Sequence, residues 1–322
     1  FICPYEIGII NIRVEVKEKH AFSEMLEFAK EFRVMEPITE EETKRTFHID
    51  GEQYGIMKDF VFGRLCTGLT DYIDTKDGAS PYFGSLPFFM DERMFLIAYY
   101  KLEPASIVDS TDLFRIGHLY GYDDDGEPFI GANNQDYIDK FCQMNVYDRW
   151  ADETNFVASD YTFACVTNSL KDPMSGGLAS SMYGTHFYSI LLYYYYKIVL
   201  MKLSFDQSSI QIDKDTDEIE ELIIKITNFS SKYYFPEVNS STVGKDIYEI
   251  VRRVFQLEYL YSHISSSLET LYQNQDKIVS KRQNYLLQIL TLYTVISGIF
   301  GMNLAIQDWE GEIKWEQIAS YT

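Results

Sequence analysis

Apolar residues follow strand and helix patterns in turn through the first half of the chain. Alternating apolar positions predict a strand over residues 7–16, and a short apolar run predicts a buried strand over residues 94–102. Residues 21–33 carry apolar side chains at helical spacing, and residues 156–167 have the composition of a further strand. Strands mixed with helices predict an α/β domain over residues 1–175.

The spacing of apolar residues in the second half of the chain predicts helices. The segment DPMSGG at residues 172–177 predicts a break, and after it residues 183–203 are apolar on nearly all sides, as in a buried helix. Residues 216–229 predict a shorter amphipathic helix. A long helix is expected to begin near Gly244, with a seam typical of a coiled coil or bundle that needs sister chains or long partner helices to cover it. The seam residues are Ile247, Ile250, Val254, Leu257, Tyr261, Ile264, Leu268, Leu271, Gln275 and Ile278.

The stretch 285–306 carries no charged residue. As a helix it would be roughly 33 Å long, against a hydrocarbon core of about 30 Å. Lys277, Lys281 and Arg282 precede it and acidic residues follow it, which is the charge pattern of a helix that leaves the cytoplasm. We therefore predict a transmembrane helix. The alternative is an amphipathic C-terminal helix that packs on a soluble domain.

Polar and small residues inside this stretch lie along one stripe of the helix, because they recur at spacings of three and four. Such a stripe suits a membrane helix if it faces sister helices or a water-filled pore, since polar groups that face lipid are costly. The stripe consists of Asn284, Gln288, Thr291, Thr294, Gly298 and Gly301. The other faces carry Leu286, Ile289, Leu292, Tyr293, Ile296, Ile299 and Phe300.

Residues 294–303, TVISGIFGMN, resemble the end of the first transmembrane helix of CorA-type magnesium transporters, which closes with a Gly-Met-Asn signature. Residues 284–291 also resemble the inner pore-lining run of that family. The resemblance covers roughly residues 243–322, and the first 200 residues contain no motif that we can match. It implies a homopentamer around a central pore, with long helices that form a stalk between a cytoplasmic funnel and the membrane.

By this resemblance Asn303 forms the selectivity filter, together with Gly301 and Met302. Mg²⁺ gives up water reluctantly, and a ring of neutral Asn carbonyls can bind it through its hydration shell. Asn303 is also a residue type that commonly caps a helix C-terminus. Asp276 is a candidate metal ligand near the inner mouth of the pore. The pore itself would be lined by Asn284, Leu287, Leu290, Thr291, Thr294 and Gly298.

Two features depart from the family. The chain looks about one heptad shorter between Asn284 and the signature, and it ends at Thr322, where a second transmembrane helix would begin. We interpret it as part of a longer protein. The expected organisation is a cytoplasmic α/β domain (1–175), a helical region with the stalk (176–284), the transmembrane helix (285–306) and an acidic loop outside the cell (307–322).

Composition limits the partners. A net charge of −21 argues against binding to nucleic acid, whose phosphates need basic patches, and it permits divalent cations.

The run DDDG at residues 123–126 lacks the spacing of a calcium loop and predicts a hairpin turn. The four cysteines lack paired spacing and fit a reducing compartment. The sequence contains no nucleophile motif and no phosphate-binding loop, so we do not expect an enzyme.

The sequence therefore predicts an α/β cytoplasmic domain followed by a long-helix stalk that runs into a transmembrane helix, as in a CorA-like funnel. The expected function is passive magnesium transport through a homopentamer in the lipid of the cell membrane, with the N-terminal domain in the cytoplasm. Co²⁺, Ni²⁺ and Zn²⁺ remain alternatives to Mg²⁺ as the transported ion. The competing interpretation is a soluble or non-transporting oligomeric scaffold or sensor that is related to this family.

Overall fold

The structure is a computed structural model that describes residues 1–35, 46–49, 51–72, 93–151, 153–169, 172–209, 216–235, 237–238 and 242–309. These residues fall into two compact units. The first comprises Phe1–Ser209 and Thr227–Ile264, and the second comprises Ile210–Ile226 and Ser265–Thr322.

The N-terminal part of the first unit consists of short elements. They are β1 (Ile2–Cys3), β2 (Ile7–Gly8), α1 (Phe22–Phe32), β3 (Phe47–Ile49), β4 (Glu52–Tyr54) and α2 (Met57–Phe60). β1 pairs with β2 and β3 pairs with β4, both antiparallel. The predicted helix at residues 21–33 is confirmed as α1. The predicted strand at residues 7–16 is wrong beyond Gly8, because no strand among the described residues pairs with residues 9–16.

A four-stranded mixed sheet lies at the centre of the first unit. Its strands are β5 (Leu96–Lys101), β6 (Val146–Ala151), β7 (Thr154–Ala158) and β8 (Thr162–Thr167), in the order β5-β8-β7-β6. β5 runs parallel to β8, and the other two pairings are antiparallel. Every residue of β8 is buried, as its central position requires.

The predicted strand over residues 156–167 is two strands joined by a tight turn. The hydroxyl oxygen of Ser159 accepts hydrogen bonds from the amides of Tyr161 (3.1 Å) and Thr162 (3.2 Å), and the same hydroxyl donates to the carbonyl of Gly117 (2.6 Å). This local network reverses the chain inside a run that has no Gly or Pro. The strand predicted over residues 94–102 is confirmed as β5.

Helices α3 (Ser110–His118) and α4 (Gln135–Asn145) contribute to the core beside the sheet. Leu26 and Ile116 are fully buried there, together with Val157 and Ala164. Gly117 allows close packing, because a Cβ at this position would lie 2.5 Å from the ring of Phe141.

Three further helices follow the sheet: α5 (Asp172–Ser181), α6 (Phe187–Ser209) and α7 (Thr216–Asn228). The break predicted at DPMSGG is wrong, because this segment begins α5. Pro173 stands in the first turn, where a backbone N–H is not needed. A π-helical turn, Met182–His186, precedes α6. The amphipathic helix predicted over residues 216–229 is confirmed as α7.

The long helix expected from Gly244 is two helices, α8 (Thr242–Val254) and α9 (Leu257–Trp309). Gln256 separates them in the left-handed region, at φ 54°. Phe255 is 1% exposed, and its ring centroid lies 5.3 Å from that of Phe95 and 5.8 Å from that of Tyr194. We attribute the break to burial of Phe255, since neither Gly nor Pro stands at this point.

Among the residues that the structure describes, no helix is both long enough and apolar enough to span a membrane. The 53-residue α9 has the length. Polar side chains recur, however, through its described uncharged part at Gln288, Thr291, Thr294 and Ser297, which makes that part less apolar. The predicted transmembrane helix at 285–306, the CorA-like funnel built on it, the membrane-protein assignment and the cell-membrane localisation are therefore wrong.

Candidate functional site

The most unusual surface of the described structure is the part of α9 that follows Ser280. Every residue from 281 to 300 is exposed. By contrast, the part before it is partly covered: Leu257, Ile264 and Leu271 are at most 2% exposed. The six residues predicted to line a pore all lie in the exposed part. They are Asn284, Leu287, Leu290, Thr291, Thr294 and Gly298.

Most large apolar side chains of this exposed segment lie on one side of the helix, which we call the apolar face, whereas Leu287, Leu290 and Val295 lie outside it. At about 100° per residue, its eight members fall within an arc of roughly 140°. Their exposure ranges from 40% at Ile296 to 68% at Tyr293. The apolar face consists of Tyr285, Leu286, Ile289, Leu292, Tyr293, Ile296, Ile299 and Phe300.

The polar stripe lies on the opposite side, and its threonines are satisfied within the helix. The hydroxyl of Thr291 donates to the carbonyl of Leu287 (2.7 Å), and that of Thr294 donates to the carbonyl of Leu290 (2.8 Å). Because each hydroxyl hydrogen already has an acceptor one turn back, neither threonine needs a further hydrogen-bond acceptor. A Cβ at Gly298 would meet no atom within 4 Å.

The Gly-Met-Asn signature lies within α9 and does not end it. The helical backbone continues through Gly301, Met302 and Asn303 to Trp309, so Asn303 is not the C-cap of this helix. The side chains of these three residues lie outside the described part of the structure. The role of Asn303 as a selectivity filter stays a prediction.

No group of three or more His, Cys, Asp and Glu side chains that could hold a metal ion occurs among the described residues. Asp276 is exposed on α9, and a single carboxylate supplies only a small part of the six or more oxygen ligands that Ca²⁺ or Mg²⁺ requires. Binding of Mg²⁺ at Asp276 or Asn303 stays a prediction.

The acidic run at residues 123–126 forms the predicted hairpin turn. The Asp123 carboxylate accepts hydrogen bonds from the amides of Asp125 (3.1 Å) and Glu127 (2.8 Å), and Gly126 adopts φ 82°. Tyr122 and Pro128 are bridged across the turn. The Asp123 carboxylate therefore stabilises the turn.

Lys197 is a buried charge that the sequence pattern did not identify. Its side chain is 10% exposed, and its Nζ lies 3.5 Å from Oδ1 of Asp160 and 5.1 Å from the ring centroid of Phe255. Burial lowers the pKa of Lys197, and Asp160 opposes that effect. The ion pair joins α6 to the turn between β7 and β8. The sequence signal was a lysine inside a largely apolar helix, which also contains Lys202.

His186 is half-buried beside the sheet. Its Nδ1 lies 3.0 Å from Oη of Tyr248, and its ring lies 5.2 Å from that of Phe156. Burial lowers the pKa of His186. Because this side chain packs between aromatic rings and bonds to a tyrosine, its contacts are those of a packing residue.

Lowering the pH from about 7.5 to 5.5 should reduce the free energy of unfolding, in part through His186. The ordinary pKa of a histidine is about 6.5, and burial lowers it in the folded state. The unfolded chain therefore binds the proton first, so the contribution of His186 to stability is complete above about pH 6.5 and is lost as the pH falls below that value through the lower pKa of the folded state. Denaturant titrations of wild type and His186→Gln at several pH values would measure this, and the variant should show a shallower dependence. Equal slopes would contradict the role of His186.

Comparisons with protein families, with curated proteins and with solved structures find no match to this chain. The resemblance to CorA-type transporters at residues 243–322 therefore stays a prediction from the sequence. The apolar face of α9 is the feature from which a function can be argued.

Proposed function

We propose that this protein is a non-transporting oligomeric scaffold, in which the exposed part of α9 joins copies of the chain. The observation that carries the proposal is the apolar face, whose eight large side chains remain between 40% and 68% exposed in the single chain. Apolar patches of this kind on a protein surface mark interaction sites.

The size of the apolar face fits a stable contact. Eight large side chains with about half of their surface exposed present on the order of 800 Å², which is the area that each partner buries in a standard interface. At about 25 cal/mol per Å², covering this area contributes much of the free energy that association needs, before the entropic cost of association is subtracted. The threonine hydroxyls at 291 and 294 do not oppose association, because they are satisfied within the helix.

Ion transport is not included in this proposal. The pore predicted from the sequence needs helices that cross the membrane, and the described helices include none that could. Transport of Mg²⁺, Co²⁺, Ni²⁺ or Zn²⁺ and the pentameric state stay predictions from the sequence.

The double substitution Leu292→Asp with Ile296→Asp should abolish assembly. Both side chains are exposed in the single chain, at 60% and 40%, so the substitutions should leave the folded chain intact. In an assembly each new carboxylate would be buried against apolar side chains, and we expect the dissociation constant to rise at least about 100-fold. Sedimentation equilibrium of wild type and variant over a range of concentrations would measure the change.

The matched control is Thr291→Asp with Thr294→Asp. It adds the same two charges to the same part of α9, but on the side opposite the apolar face. We expect this variant to assemble nearly as well as wild type. Wild-type protein that sediments as a monomer at all concentrations would refute the proposal, and so would equal loss of assembly in the two double variants.

A further inference from the structure

Large apolar residues of α9 recur every seven residues from Leu257 to Ile299, with Gln275 and Arg282 as polar interruptions. One set of positions holds Leu257, Ile264, Leu271, Ile278, Tyr285, Leu292 and Ile299. A second set, four residues further on, holds Tyr261, Leu268, Gln275, Arg282, Ile289 and Ile296. A sequence that keeps this seven-residue repeat through an unbroken helix favours a left-handed supercoil with another helix.

The chain covers the first half of this seam and leaves the second half uncovered. Tyr261 stacks on Tyr234 with ring centroids 4.4 Å apart, and Gln275 donates to Glu220 of α7 at 2.8 Å. Beyond Ile278 the seam positions become exposed, with Tyr285 at 65%, Leu292 at 60% and Ile299 at 51%. Since the register does not change, we conclude that the second half is built for a helix that the single chain does not supply.

The charges that flank the exposed seam in the sequence are complementary between two copies of this chain that run in opposite directions. Lys277, Lys281 and Arg282 precede it in the sequence, while Asp308 and Glu310 follow it. Two copies side by side in the same direction would bring lysine and arginine next to lysine and arginine. Two copies in opposite directions would bring each basic end next to the acidic end of the other, which is favourable and sets the register.

On these grounds, which rest on the proposed function, we propose that the partner is a second copy of this chain and that the two α9 helices pair antiparallel. In the register that places Lys281 near Asp308, Leu292 of one copy packs beside Ile296 of the other, and Ile289 packs beside Ile299. The contact is two-fold symmetric, so the same surface serves both copies and the pair closes on itself.

Disulfide trapping tests the direction of pairing. In an antiparallel pair Ile289 of one copy faces position 299 of the other, whereas the two copies of residue 289 are roughly 15 Å apart along the axis. A disulfide requires Cα atoms within about 7 Å. We expect Ile289→Cys and Ile299→Cys, mixed under reducing conditions and then oxidised, to form a heterodimer. Its yield should exceed that of either variant alone by about tenfold, with mass spectrometry used to identify the pairs.

Two controls accompany the experiment. Wild type with its four native free cysteines reports the background, and Thr294→Cys places a thiol on the polar stripe, where no cross-link is expected. If Ile289→Cys and Ile299→Cys each cross-link with themselves, the helices are parallel, which overturns this inference and leaves the proposed scaffold intact. If no pair cross-links although the protein is oligomeric, another surface joins the copies and the inference is overturned. Monomeric protein without cross-links would refute both proposals.

Discussion

Replacing Arg115 by alanine should destabilise the first unit by about 3–5 kcal/mol, because the guanidinium is buried and has several partners. Its side chain is 5% exposed. It donates to Ser23 Oγ (2.5 Å) and to the carbonyls of Gly121 (2.8 Å) and Phe129 (2.9 Å). Alanine would leave two carbonyls and a hydroxyl without this donor, and each loss costs about 1–3 kcal/mol where the group stays buried.

Chemical denaturation of Arg115→Ala followed by circular dichroism would measure this loss. Arg149→Ala is the matched control, because Arg149 is 71% exposed and forms one ion pair with Asp246 at 3.0 Å. An exposed pair of this kind contributes at most about 1 kcal/mol. Similar losses in the two variants would show that the contacts of Arg115 do not determine the stability of the first unit.

Replacing Phe255 by alanine should cost about 3–5 kcal/mol, as for other large aromatic side chains removed from a core. Phe255 is 1% exposed and packs against Phe95 and Tyr194. Its ring also faces the ammonium group of Lys197 at 5.1 Å. The change would therefore open a cavity and remove a cation–π contact at the point where α8 ends.

The free energy of unfolding of Phe255→Ala can be compared with that of Tyr259→Ala. Tyr259 lies one turn further on in α9 and is 65% exposed, so its loss should cost less than about 0.5 kcal/mol. Phe255→Leu should show an intermediate loss, because it keeps an apolar side chain of smaller volume. A loss below about 1 kcal/mol for Phe255→Ala would contradict the assignment of Phe255 as an anchor of the helix break.

Elements whose signal is local could be predicted from the sequence. The spacing of apolar residues located α1 and α7, and a continuous apolar run located β5. The break between α8 and α9 could not be found this way, because it depends on the burial of Phe255 against residues far away in the sequence. Residues 9–16 show the opposite error: they alternate like a strand, but a strand also needs a neighbour to pair with.

The candidate site could be located but not interpreted from the sequence. Absence of charge identified residues 285–306, and periodicity separated the polar stripe from the apolar residues. Periodicity cannot distinguish an apolar face that contacts lipid from one that contacts another helix. The covered first half of the seam favours a helix as the partner, because Leu271 and Leu292 occupy the same heptad position and differ only in whether the chain supplies a partner.

Residues 281–300 of α9 link helix formation to the proposed association of the chains. An isolated helix of this length is only marginally stable in water, because most helical stability in proteins comes from tertiary packing. Residues 281–300 have no such packing in the single chain, since all of them are exposed. In the proposed scaffold, helix formation in this segment and association of the chains would therefore stabilise each other, and the population of ordered helix would rise with protein concentration by mass action.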